Sequence, residues 1–193
     1  MFEKIINEAT NAVTAAVKGV GDILGAITGT VKDQVVGVLK GTGDIAGAGI
    51  EAISSIASGA VRGAGTVGSS ITDTAASTMS GIVKGVAEVG GDTFGAIFHG
   101  AEGLVKGVAD TGGDIGSAAV AAVEGAIKAA GDVGADSAEA VKSSVGGALK
   151  AATSIGGDAV STVREALLGA AALPRDAIES AVKGSDDKDS SGK

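Results

Sequence analysis

Apolar residues recur along this chain in steps of three and four, and the whole pattern restarts every 22 residues. The copies begin at Val17, Leu39, Val61, Val83, Val105, Ile127 and Leu149, with no insertion or deletion between them. If each copy is numbered from 1 to 22, position 1 is always Val, Leu or Ile. Position 4 reads Val20, Thr42, Ala64, Val86, Val108, Ala130 and Ala152. Position 19 reads Val35, Ala57, Met79, Ala101, Val123, Val145 and Leu167. At about 100° per residue, apolar positions near 1, 4, 8, 11, 15, 19 and 22 form one stripe. Positions 2, 6, 10, 13, 17 and 20 fall opposite and are mostly polar. This spacing is helical, strict strand-like alternation is absent, and the Ala content points the same way. The pattern predicts an all-α protein of amphipathic, glycine-rich 22-residue repeats, with a β-solenoid as the weaker reading.

Twenty-two is two elevens, and eleven residues close three turns at about 3.67 residues per turn. An unbroken helix from Val17 to Ala170 would keep its stripe in phase over roughly 230 Å. Long helices with few breaks are the first expectation. The second is an antiparallel array with one helix of roughly 16–18 residues per copy. In that arrangement Gly90-Gly91-Asp92, Gly112-Gly113-Asp114 and Gly156-Gly157-Asp158 each end one helix and cap the next. Gly134-Ala135-Asp136 is a weaker version of the same signal. Residues 1–16 begin the amphipathic pattern, and residues 17–170 carry the seven repeats. Pro174 opens a short terminal helix, Arg175 to Val182, within 171–183. Residues 184–193, GSDDKDSSGK, read as a disordered polar tail.

Composition sharpens the picture. Glycine occupies 34 positions, and Phe2, Phe94 and Phe98 are the only aromatic residues in 193. A core of Ala and Val buries little area per residue, so close approach of elements must compensate. Each interior Gly costs a helix about 1 kcal/mol relative to Ala, so stability must come from packing. The glycines are placed accordingly. Gly37 and Gly41, Gly59 and Gly63, Gly81 and Gly85, and Gly103 and Gly107 sit four apart on one border of the stripe. Gly21 and Gly25, and Gly43 and Gly47, repeat the spacing on the other border. Small residues at i and i+4 let two helix backbones approach closely. The four pairs from Gly37 to Gly107 are therefore the candidate helix-packing residues.

The formal charge of −8 disfavours nucleic acid as a partner. There is no Cys. The N-terminus lacks a signal-peptide pattern, and no charge-free apolar run reaches the roughly 18 residues of a membrane span; these features favour a cytoplasmic location. Lys18–Asp22, Lys40–Asp44, Lys84–Glu88, Lys106–Asp110 and Lys128–Asp132 are spaced for intrahelical pairs of about 0.2–0.5 kcal/mol each. The acids at position 10, Asp92, Asp114, Asp136 and Asp158, read as a solvated face and not as a Ca²⁺ site, which needs several converging oxygens. His99 is the lone histidine and has neither a second ligand nor a catalytic partner in the sequence. No phosphate-binding GxxxxGK[ST] motif occurs. No catalytic, cofactor or metal residues are expected, and the chain reads as a non-enzyme.

The VKGV phrases at Val17–Val20, Val83–Val86 and Val105–Val108, on an eleven-based period, resemble the amphipathic repeats of synucleins, perilipins and exchangeable apolipoproteins. The resemblance covers residues 1–170 in period only, and it departs from those families in glycine content and in acids mixed into the polar face. It implies a helix that coats a lipid surface. The period is also similar to that of Ala-rich helical antifreeze proteins, whose Thr column is missing here. The leading expectation is a structural protein that self-assembles, as a homo-oligomer or filament, through its glycine-bordered face. The alternative is an amphipathic coat on a membrane, lipid droplet or other apolar surface.

Overall fold

The computed structural model describes residues 2–18, 23–42, 48–65 and 69–190. Among these lie nine helices and no strand: α1 Phe2–Lys18, α2 Ile23–Thr42, α3 Ala48–Gly65, α4 Ile71–Val89, α5 Thr93–Asp110, α6 Ile115–Val133, α7 Ser137–Ile155, α8 Ala159–Gly169 and α9 Arg175–Ser190. The long unbroken helix is not formed; each 22-residue copy supplies one helix. From α4 onward the helices start at Ile71, Thr93, Ile115, Ser137 and Ala159, which is position 11 of successive copies.

The breaks follow from local chemistry. Gly90, Gly112 and Gly134 adopt φ of 69°, 70° and 75°, a left-handed conformation that a side chain disfavours. The next residue then closes a Schellman motif: Gly91 N–H donates to Val86 O at 3.0 Å, Gly113 to Val108 O at 2.9 Å, and Ala135 to Ala130 O at 2.8 Å. The residue after that is the aspartate that caps the following helix. Asp92 accepts from Phe94 and Gly95 N–H, Asp114 from Gly116 and Ser117, and Asp136 from Ala138 and Glu139. The position-10 acids of these three copies thus act as caps. Gly134-Ala135-Asp136 is as complete as the others, because only its first residue needs positive φ. The junction that departs is Gly156-Gly157-Asp158. Both glycines have positive φ there, and Asp158 makes no side-chain cap.

Tight turns at Gly90, Gly112 and Gly134 separate successive helices, and the array has two layers. Alternate helices pack most extensively: α1, α3, α5, α7 and α9 form one layer and α2, α4, α6 and α8 the other. The stripe lies between the layers. Its largest fully buried side chains include Ile27, Leu39, Ile53, Ile56, Met79, Ile82, Ile97 and Leu104, set among Ala and Val. Near the C-terminus the pattern changes. α8 has only 11 residues and stops before Pro174. α9 runs past Val182 through Gly184 to Ser190, beyond the expected end of the short terminal helix. A single glycine costs a helix about 1 kcal/mol and does not by itself end one.

Charge pairing also differs from the intrahelical expectation. Lys32 reaches Glu88 at 2.9 Å and Lys84 reaches Asp132 at 3.3 Å, each bridging alternate helices. Lys106 pairs with Glu102. Lys32 and Lys84 find their acids on another helix because the helices are so close, whereas Lys106 and Lys142 pair within their own helix. Asp22 and Asp44 lie outside the described residues.

The Asp114 cap predicts a pH dependence. The Ser117 hydroxyl donates to Asp114 at 2.7 Å, and with the Ser117 and Gly116 N–H groups it holds this carboxyl below its ordinary pKa. A lowered folded-state pKa contributes stability above the unfolded value and loses it as pH falls through the folded value. Asp114→Ala is expected to cost about 1 kcal/mol at neutral pH. The gap from wild type should shrink below about pH 4. Urea unfolding across pH checks this; a gap independent of pH would refute the cap.

Candidate functional site

Besides the capped turns, a seam between alternate helices recurs along the array, where the position-21 and position-3 residues lie. A Cβ added to Gly59 would stand 2.6 Å from the Ile6 carbonyl oxygen, and one on Gly63 would stand 2.7 Å from the Thr10 carbonyl. Gly81 repeats this against Thr28 O at 2.6 Å and Gly85 against Lys32 O at 3.0 Å. Gly103 and Gly107 face the backbone of Ser54 and Ser58. In each case hydrogen is the largest substituent that fits, so the backbones of two parallel helices come into direct contact.

The seam includes residues beyond the four expected pairs. Gly125 faces Ala76 and Met79, and Gly147 faces Phe98 and Ala101; their position-3 partners are Ala129 and Ala151. Position 21 is glycine in all seven copies, which was the available signal. The hydroxyls on the opposite side were not anticipated. Thr10 Oγ1 lies 2.8 Å from Ile6 O of its own helix and 3.1 Å from Gly59 O across the seam. Thr28 does the same with Leu24 O and Ser77 O, at 3.0 and 3.2 Å, and Thr14 with Thr10 O and Gly63 O. Each crosses the seam at a separation of 49 residues, a two-helix step plus a fixed stagger.

Gly37 and Gly41 are different. A Cβ at either would meet nothing within 4 Å, and both glycines are exposed. They sit on α2, the first described helix of its layer. Of the other border, Gly21, Gly43 and Gly47 lie outside the described residues.

Groups suited to chemistry are sparse. His99 is half-buried, with its ring edge-on to Phe98 at 5.3 Å and Nδ1 3.4 Å from Glu102. A cleft of about 490 Å³ between α4, α6 and α8 holds Glu124 and Glu165 with Thr72 and Ser117. Among the described residues no three His, Cys, Asp or Glu side chains are grouped to hold a metal ion, and no helix is long and apolar enough to cross a membrane.

No protein-family model and no curated protein matches the chain. Among solved structures, the chain is similar to a de novo designed helical repeat protein, DHR7, at 18% identity with a TM-score of 0.54. The match covers 96% of this chain and 97% of that one. The likeness establishes a helical repeat fold for the chain.

The seam predicts that one substitution has opposite signs at equivalent positions. Gly37→Ala on the open face should stabilise by about 0.5–1 kcal/mol through helix propensity. Gly81→Ala must push against the Thr28 carbonyl and should destabilise by about 1–3 kcal/mol. Denaturant midpoints of the two variants check this, and stabilisation by both would remove close packing as the role of Gly81.

Proposed function

We propose that the chain is a non-enzymatic structural repeat protein that associates with copies of itself through the open edge of its even layer. One observation carries the reading. The glycine rows of α3, α4 and α5 are closed against a neighbouring helix, while the same row on α2, Gly37 and Gly41, is left uncovered. Leu24, on the same helix, is 40% exposed. The odd layer differs at its ends: α1 turns Glu3, Lys4, Asn7, Glu8 and Asn11 outward, and α9 turns Arg175, Asp176 and Ser180 outward. Polar terminal helices of this kind keep repeat arrays from stacking end to end. Association is thereby confined to α2 and to the exposed Leu168 side of α8. The lipid-coat alternative requires the array to open, because its apolar stripe is occupied by the core.

The test compares Gly37→Leu/Gly41→Leu with wild type by sedimentation and light scattering. The α2 variant should keep its helical signal, since nothing stands within 4 Å of either position, and should lose association. A wild-type protein that stays monomeric at millimolar concentration removes the proposal. If that monomer also binds lipid vesicles with loss of amide hydrogen-exchange protection at the core residues, the coat reading replaces it.

A further inference from the structure

One copy of the repeat departs from its siblings at several positions that meet in a single cleft. The cleft, about 400 Å³, is lined by Arg62 and Gly65 at the end of α3, Ser69 and Thr74 around the start of α4, and Thr111 and Gly113 at the turn after α5. Position 2 is Lys in every other copy and Arg62 here. Position 9 is Gly or Ala in every other copy and Ser69 here. Beside the cleft, and outside its lining, position 10 is Ser70, which caps α4 through its hydroxyl, where α5, α6 and α7 use an aspartate and the first two copies carry Ala26 and Ala48. Each change adds a hydrogen-bond donor or removes a negative charge.

The buried hydroxyls point the same way. Thr74 is 1% exposed, yet its Oγ1 and the Ser69 Oγ have no hydrogen-bond partner. Helical threonines elsewhere in the chain, Thr10, Thr28 and Thr162, place the hydroxyl on the carbonyl four residues back. Thr74 does not, nor does Thr78 one turn on; at the position of Thr74, α5, α6 and α7 carry Ala96, Ala118 and Ala140, whereas the first and last copies carry Thr30 and Thr162, and Thr162 does bond back to its own helix. A buried hydroxyl without a partner is costly, about 1–3 kcal/mol, and calls for an explanation. Arg62, a pure donor of fork geometry, forms no ion pair among the described residues. No carboxylate lines the cleft, although the chain is acidic throughout.

We infer that the Arg62–Ser69–Thr74 cleft binds a small oxyanion, a carboxylate or a phosphate group, with the guanidinium as its charge partner and the two hydroxyls as donors. The test titrates inorganic phosphate and, separately, acetate into the full chain at constant ionic strength, followed by calorimetry and amide NMR shifts. Saturable one-to-one binding with shifts around Ser69 to Thr74 is expected. Arg62→Gln should weaken it by at least about tenfold, the loss of a charge-assisted hydrogen bond. The near-isosteric Thr74→Val should weaken binding several-fold while raising resistance to urea. Lys128→Gln, the same repeat position in another copy, should leave affinity unchanged. Acetate that competes supports a general oxyanion site, and phosphate binding alone narrows the site to phosphate. Neither anion binding, unchanged affinity in Thr74→Val, or equal weakening by Arg62→Gln and Lys128→Gln would each overturn the inference.

Discussion

The separation between one helix and the next in its layer depends on a hydrogen atom standing where a side chain would otherwise be. At Gly59, Gly81 and Gly103 the facing group is a backbone carbonyl, which cannot rotate away as a side chain can. That constraint sets the rest. Helices so close leave little room between layers, so the core is made of Ala and Val with a few Ile and Leu. Lysines then reach acids on a neighbouring helix, as Lys32 reaches Glu88. Threonine hydroxyls come within reach of carbonyls across the seam. A core with almost no large rings is adequate because dispersion contacts are dense where backbones touch.

Much of this was legible in the residues. The three-and-four spacing specified helices; of the i, i+4 glycines, Gly59, Gly63, Gly81, Gly85, Gly103 and Gly107 stand against another helix, and Gly37 and Gly41 do not. Helix length was harder to read, because a stripe of period eleven is satisfied equally by one straight helix and by short helices whose turns complete the count to 22. The discriminating signal was the ordered trio of glycine, small residue and aspartate. It satisfies two carbonyls and then two N–H groups, and a continuous helix has no use for it. A glycine stripe likewise carries no label for its neighbour. Gly81 and Gly37 read alike, yet a Cβ on one would meet Thr28 of the same chain and a Cβ on the other would meet nothing within 4 Å.

The cleft near Arg62 was hidden for a related reason. Regularity draws attention to what repeats, and its evidence lies in what fails to repeat. Ser69 and Thr74 are unremarkable as single residues. They stand out only once the fold places the end of α3, the start of α4 and the turn after α5 side by side, with Ser69 where every sibling copy carries Gly or Ala and Thr74 left without the bond that Thr162 makes at the same repeat position.

The sequence period equals one helix, whereas the geometric period of a two-layer array is a pair. Both layers are therefore written in the same 22-residue repeat. Such an object has no chemically distinct front and back. Adding or removing one unit exchanges the layers downstream and leaves every interior helix with an equivalent set of neighbours, so the length of the array is free to change in odd as well as even steps.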